Sequence, residues 1–323
     1  PPLILRFNDI LKDRIAELHN AFSNSIEKYK YKNKYQGVFP IKCNHQKNFI
    51  EKILEFGDVW NFGLEVGSKS ELLIGLSLLN NEKSFLICNG YKDQNYIEMV
   101  ILSRKLGKKP ILVIEQRDEV KRIIESVQKL GSKPILGIRS KLSSKSIGRW
   151  SESSGYNSKF GLSAPEIINT INELKQANLL SELKLLHFHI GSQISDISVI
   201  KDALQEGSQV FVELSKLGAP MEYMDVGGGL GIDYDGSKTS TNNSTNYSLQ
   251  NYANDVIATI KDTCEINKVK QPIIISESGR SITSHCSIFI FNILGTSSKN
   301  LSLNPNFKEG ENKSLIISNL IET

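Results

Sequence analysis

Lys42, His189, Glu277 and the glycine run Gly227, Gly228 and Gly229 are residues whose types suit carbonyl chemistry. A lysine amine adds to an aldehyde to form a Schiff base, and desolvation that lowers its pKa makes it a better nucleophile. An imidazole offers a platform under a flat ring. Tight glycine turns expose backbone N–H groups to an anion, and the Ser192 hydroxyl would add to them. A carboxylate beside a pyridine nitrogen keeps that nitrogen protonated, so that the ring accepts electrons from a carbanion. Together they describe a site for an aldehyde cofactor carrying a phosphate. Gly279 and Arg280 follow Glu277 closely, and the Arg280 guanidinium would complete the phosphate site.

Each residue also has a plainer reading. Lys42 suits a solvated rim, and the glycines suit a purely structural turn. His187 and His189 lie two apart, a spacing that can bind a metal ion, but His19, His45 and His285 are not placed to complete a ligand set. A hydrogen-bonded core histidine describes His187 better. Glu65 and Arg139 read either as an ordinary rim ion pair or as residues of the site, one positioning the cofactor and the other orienting His189.

These residues gain weight from the elements that must carry them. Eight short apolar runs, at 38–42, 60–66, 85–88, 111–114, 135–139, 183–190, 223–226 and 273–277, read as strands. The segments between them show helical spacing, as in Phe49, Ile50, Ile53 and Leu54 before Gly57, then Leu72, Leu73, Leu76 and Leu79. Val120, Ile123, Ile124, Val127 and Leu130 repeat it before Gly131, as do helices near 166–177, 197–217 and 252–266. Alternation of this kind predicts an α/β fold with a parallel sheet, and eight units suit a closed barrel, the (β/α)8 or TIM barrel, although an open doubly wound sheet can also reach eight strands. The mouth of such a barrel gathers the carboxyl ends of all its strands, where Lys42, Glu65, Arg139, His189, the glycines and Glu277 all fall. Polar loops at 141–159 and 236–247 are expected there too.

Composition narrows the class. The chain has 323 residues, 39% hydrophobic and 23% charged, with a net charge of +4 and no basic block interleaved with aromatics. Nucleic acid is therefore not an expected partner. No apolar run approaches a membrane span. Cys43, Cys88, Cys264 and Cys286 show no paired spacing, which predicts free thiols and a cytoplasmic setting. The opening Pro1-Pro2-Leu3 and the closing Ile321-Glu322-Thr323 are expected to be internal points of a longer protein.

Several motifs carry a resemblance over about residues 3–295: Pro40-Ile41-Lys42-Cys43-Asn44, Gly67-Ser68-Lys69-Ser70-Glu71, Cys88-Asn89-Gly90-Tyr91-Lys92-Asp93, Lys159-Phe160-Gly161-Leu162, His187-Phe188-His189-Ile190-Gly191-Ser192-Gln193, Asp225-Val226-Gly227-Gly228-Gly229-Leu230-Gly231-Ile232-Asp233-Tyr234 and Ser276-Glu277-Ser278-Gly279-Arg280. On these the chain resembles the fold-type III pyridoxal-phosphate decarboxylases, and within them most closely the bacterial biosynthetic group acting on L-arginine. The resemblance implies a barrel of the alanine racemase/ornithine decarboxylase type and pyridoxal 5'-phosphate as cofactor. It divides the chain into a helical lead-in at 1–34, the cofactor-binding barrel at 35–286 and the start of a carboxyl-terminal β-domain at 287–323. It makes Lys42 the Schiff-base lysine, His189 the ring platform and Glu277 the partner of the pyridine nitrogen. Ser192, Gly229, Gly279 and Arg280 hold phosphate, with Glu65, Arg139, Gly227 and Gly228 also at the cofactor. The stretch Met224, Asp225, Val226, Gly227, Gly228, Gly229, Leu230, Gly231, Ile232, Asp233 and Tyr234 matches the family's substrate-binding segment.

The reaction so implied is decarboxylation of L-arginine to agmatine and CO2, at the entry to polyamine synthesis. Diaminopimelate and ornithine are the alternative substrates, and a silent cofactor-binding regulator is the non-enzymatic alternative. The family further implies a homo-oligomer with shared active sites, completed by a cysteine, an aspartate and a tyrosine from the β-domain. It also associates magnesium with the protein, for which the sequence shows no clear ligand cluster.

Overall fold

The computed structural model describes residues 2–143 and 158–298. A short strand, β1 (Leu3–Arg6), precedes the long helix α1 (Asn8–Tyr29), so the leading segment is not helical throughout as expected. Its apolar Leu3-Ile4-Leu5 pairs with residues far along the chain, in a two-stranded sheet with β10 (Ser287–Ile290). That pairing is non-local and invisible to local periodicity.

Eight parallel strands then close into a barrel: β2 (Tyr35–Pro40), β3 (Gly63–Val66), β4 (Phe85–Cys88), β5 (Lys109–Ile114), β6 (Ile135–Arg139), β7 (Leu183–His187), β8 (Tyr223–Asp225) and β9 (Ile273–Glu277). Between them run α2 (Lys47–Gly57), α3 (Lys69–Leu78), α4 (Gln94–Ser103), α5 (Arg117–Leu130), α6 (Ala164–Gln176), α7 (Ile197–Lys216) and α8 (Leu249–Ile266). The short α9 (Arg280–Thr283) follows β9. Chain order is spatial order, and β2 closes on β9 through Val38 opposite Glu277. The barrel lies within a compact unit spanning Leu5–Ile288. In the other unit the Phe289 and Phe291 rings pack 5.0 Å apart. No helix among the described residues is long and apolar enough to cross a membrane.

Both faces of each strand are covered, which explains the unbroken apolar runs. One set of side chains fills the interior, including Val38, Phe85, Ile87, Ile111, Leu185 and Ile275. The alternate set, including Phe39, Leu64, Leu86, Leu112, Leu186 and Ile274, packs outward against the helices. Helix ends follow local chemistry. Ser68 and Asp93 accept from the backbone N–H three residues on, and Gly131 ends α5 at φ +61°.

Four strands end earlier or start later than the sequence suggests. Lys42 sits in a 3-10 turn (Ile41–Cys43) beyond β2, and His189 lies two residues beyond β7. Val226 lies just beyond β8, and Trp60 lies outside β3 in a turn, stacked on His19 at 4.9 Å. On α3, Leu72 is buried but Leu73 is 57% exposed, so the expected apolar face is narrower.

Phe85 is fully buried inside the barrel, edge-on to Tyr223 at 5.1 Å. Phe85→Ala is expected to lower unfolding stability by about 3–5 kcal/mol, measured by denaturant titration.

Candidate active site

Along the inward rows, apolar layers give way to a polar layer at the carboxyl end of the barrel. Val38 is level with Glu277 and Pro40 with Glu65, while Arg139 pairs with His187 and His187 with Asp225. One residue past β4 and β5, Asn89 and Glu115 continue the same rows. The strand-end residues are therefore gathered at one rim.

Lys42 is carried over this rim by its turn, which is anchored by the fully buried Ile41. Its Nζ lies 3.3 Å from Glu65 Oε2, with 56% of the lysine side chain exposed against 1% of the glutamate's. This is an ion pair without hydrogen-bond alignment, since Glu65 Oε2 has no hydrogen-bond partner. Burial works to lower the amine's pKa, but Glu65 and Glu277 more than offset it and hold the amine above its ordinary range. The expectation that desolvation would lower it is reversed, because two carboxylates lie close by.

Three buried carboxyls of this layer, Glu277, Glu65 and Asp225, differ in charge. Burial alone would raise Glu277, but the pull and hydrogen bond of His187, together with the charge of Lys42, hold it well below the usual carboxylate range. Its hydrogen bonds both fall on Oε1, from Asn89 Nδ2 at 2.7 Å and with His187 Nε2 at 3.1 Å. Burial, then the charge of Glu277, pushes Glu65 up to about 7. The same two causes raise Asp225 well above its ordinary value, although Gly227 N–H donates to its Oδ1 at 2.9 Å. Like charges this close in a low-dielectric interior do not all ionise together.

His187, Asp225 and Glu277 also present ligand atoms within 4.8 Å of one another, the one such group of three among the described residues. The set does not suit magnesium, which takes oxygen ligands in octahedral array. Here one of three donors is an imidazole already hydrogen-bonded to a second.

His189 accepts from Gly228 N–H at Nδ1, 3.2 Å away, which places its own proton on Nε2. Burial, followed by the nearby Arg139, lowers its pKa to about 3 and leaves a neutral ring. Gly227 is at φ +70°, where a Cβ would fall 2.2 Å from the Phe188 carbonyl oxygen. With the N–H of Gly227 and Gly228 directed to Asp225 and His189, only that of Gly229 among the three has no protein acceptor among the described residues. The glycine run therefore offers an anion one N–H rather than three.

A cavity of about 130 Å³ opens here, lined by Lys42, His189, Ser192, Gly229, Glu277 and Arg280 among others. Gly279 lets the chain leaving β9 pass beneath the lysine turn, since a Cβ there would fall 2.2 Å from Cys43 Sγ. Arg139 stands apart from this lining. Its guanidinium is bound to Glu115 and lies over the Phe160 ring. The stretch 224–234 divides. Met224 and Val226 are buried in the core. Asp225 joins the carboxyl layer, Gly228 to Leu230 line the cavity, and Leu230 to Asp233 line an adjoining one of about 270 Å³. Tyr234 is 52% exposed and stacks on His285. The 236–247 loop folds back through Ser195 Oγ donating to the Ser240 carbonyl. Most of the other polar loop, 144–157, lies outside the described residues.

Sequence reasoning missed Asn89 and the engagement of His187 with Glu277. The period of two through Phe85, Ile87 and Asn89 is the signal that would have found the first. It also missed Lys92, fully buried with Nζ 3.2 Å from Glu119 and 3.6 Å from Glu115.

Residues 12–284 match the family described as pyridoxal-dependent decarboxylase, pyridoxal binding domain. The chain is 74% identical over 322 residues to a biosynthetic arginine decarboxylase of Prochlorococcus marinus subsp. pastoris, covering 100% of this chain and 49% of that protein. It is 59% identical to that of Prochlorococcus marinus strain MIT 9313, over 91% of this chain and 46% of that protein. The chain thus spans about half the length of the curated relatives it matches. Among solved structures, the biosynthetic arginine decarboxylase of Campylobacter jejuni superposes with a TM-score of 0.82 at 32% identity, covering 99% of this chain and 52% of that one. A diaminopimelate decarboxylase of Helicobacter pylori, at 24% identity and a TM-score of 0.72 over 89% of this chain and 65% of that one, shares the fold.

The cavity suits a phosphorylated pyridine aldehyde. An amine, a neutral ring, a free backbone N–H and a guanidinium line it, and Glu277 holds its two hydrogen bonds on one oxygen. A Cβ on Gly228 would come 3.0 Å from the Glu277 carbonyl oxygen and 3.3 Å from His189, so the backbone closes tightly beneath.

Glu65 gives a pH signature. Its folded pKa of about 7 lies above the ordinary 4.5, so the stability linked to its proton is full below pH 4.5 and lost as pH rises through 7. Glu65→Gln is therefore expected to gain about 3 kcal/mol relative to the parent between those limits. Thermal unfolding of the cofactor-free protein near both ends of that range checks this, and an unchanged difference would contradict it.

Proposed function

The chain belongs to the pyridoxal-dependent decarboxylases, and from that premise we propose that the protein converts L-arginine to agmatine and CO2, the first step of polyamine biosynthesis from arginine. The observation that carries this reading is that the Lys42 amine and the Glu277 carboxylate face one cavity although 235 positions separate them in sequence. Support for arginine comes from the full-length match of this chain to proteins named for that activity.

When bound, pyridoxal phosphate supplies an electron sink for the carbanion left at Cα. The side chains do the rest. Lys42 Nζ is the group for the aldehyde carbon, and it must first lose the proton that Glu65 and Glu277 help it keep. Glu65, with its carboxyl near 7 and Oε2 3.3 Å away, is placed to take that proton. Glu277, held ionised, would keep a proton on the ring nitrogen. His189 supports the ring face, and its neutrality avoids opposing a positive ring. The Ser192 hydroxyl, the Gly229 N–H, the Gly279 backbone and the Arg280 guanidinium, which line the same cavity, would hold the phosphate.

We read residues 287–298 as the start of a β-rich domain, with the remainder of that expected segment, 299–323, lying outside the described residues, and the assembly as a homo-oligomer with shared sites. A cytoplasmic setting suits the four free cysteines.

Lys42→Ala is expected to abolish CO2 release from arginine, and borohydride reduction of the parent protein should label the peptide containing Lys42. Radiolabelled arginine, ornithine and diaminopimelate, compared side by side, test the substrate. A Lys42→Ala protein decarboxylating arginine at the parent rate would sink the mechanism, and preference for another of the three would sink the arginine assignment.

A further inference from the structure

Asn89 lies immediately beyond β4. Its backbone N–H donates to the Val66 carbonyl at 2.8 Å, which carries the strand ladder one residue further. Its side chain therefore continues the inward row of Phe85 and Ile87, and the residue is 5% exposed. Asn89 Nδ2 donates to Glu65 Oε1 at 3.1 Å and to Glu277 Oε1 at 2.7 Å. Two carboxylate acceptors fix the orientation of the amide, because its carbonyl would be repelled by both. Asn89 Oδ1 is left buried without a partner.

Each glutamate is thus anchored by one oxygen and leaves the other available. Glu65 Oε2 faces Lys42, while Glu277 carries no hydrogen bond on Oε2. We infer that Asn89 is a positioning residue that clamps both working carboxyls through one neutral amide, setting Glu65 toward the lysine and Glu277 toward the cofactor's ring nitrogen. The inference rests on the pyridoxal-site reading above. Neutrality is the chemical point. A cation at this position would compete with the ring nitrogen for Glu277, and a further carboxylate would force another proton onto a group that already includes Asp225. The charged and titratable groups that face the pair are Lys42, His187, His189 and Asp225, with Cys43, Cys88, Tyr96 and Arg280 nearby.

Asn89→Ala and the isosteric Asn89→Asp test this on the intact protein. The readouts are pyridoxal phosphate affinity, from the visible absorbance on titration between about pH 6 and 9, and the thermal midpoint without cofactor. Loss of a hydrogen bond to a charged group predicts at least about tenfold weaker cofactor binding for Asn89→Ala. Asn89→Asp should bind nearly as the parent at the acid end, where the new carboxyl keeps a proton to donate, and progressively worse as pH rises. Its thermal midpoint should stay close to the parent's at the acid end and fall as pH rises, because a buried carboxyl with a raised pKa costs stability once it ionises. Parent-like affinity in both variants, or a loss for Asn89→Asp that is the same at every pH, would overturn the inference. So would an Asn89→Asp protein that fails to fold. If the parent itself gives no cofactor signal, the pyridoxal site falls instead, which separates the two failures.

Discussion

The site depends on burying Glu65, Asp225 and Glu277 together at the top of a barrel whose lower interior is apolar. Three ionised carboxylates could not share so small and dry a space. The protein meets this constraint by dividing the protonation states. Glu277 keeps its charge against His187 and Lys42, while Asp225 and Glu65 are pushed toward their neutral forms. A strong acid and a poised acid–base group thereby arise from the same side-chain type a few ångströms apart.

Neighbouring groups follow from that division. Lys42 is drawn to the carboxyl layer and protonated by it, so its reactivity depends on proton transfer and not on simple desolvation. His189 stays neutral beneath a cationic surround, with Gly228 fixing its tautomer. Behind the site, Arg139 and the buried Lys92 share Glu115, and Glu119 completes that cluster. These charges are paired with one another and brace the rim from behind.

The glycines serve geometry more than binding. Gly227 permits a close approach to the Phe188 carbonyl, and Gly279 passes beneath Cys43. Two of the three N–H groups in the Gly227–Gly229 turn support protein atoms, which concentrates anion contact at its far end. A glycine-rich motif read in sequence does not reveal which of its N–H groups remain free, because their acceptors come from other strands.

The closed eightfold alternation of strand and helix was legible in the sequence, since strands buried on both faces and helices buried on one leave different periods of hydrophobicity. The same logic brought Lys42, His189 and Glu277 to one mouth, because parallel topology puts every strand's carboxyl end on the same side. Strand ends were less legible. Lys42 and His189 sit in turns beyond β2 and β7, set by where the ladder stops and not by residue type. Only the tertiary structure decided the partners: Asn89 between Glu65 and Glu277, His187 against Glu277, and β1 with β10. It also set the direction of each pKa, which depends on how many like charges share one dry volume. Local sequence encodes which face a side chain takes, whereas contacts between chain segments determine what charge that side chain carries there.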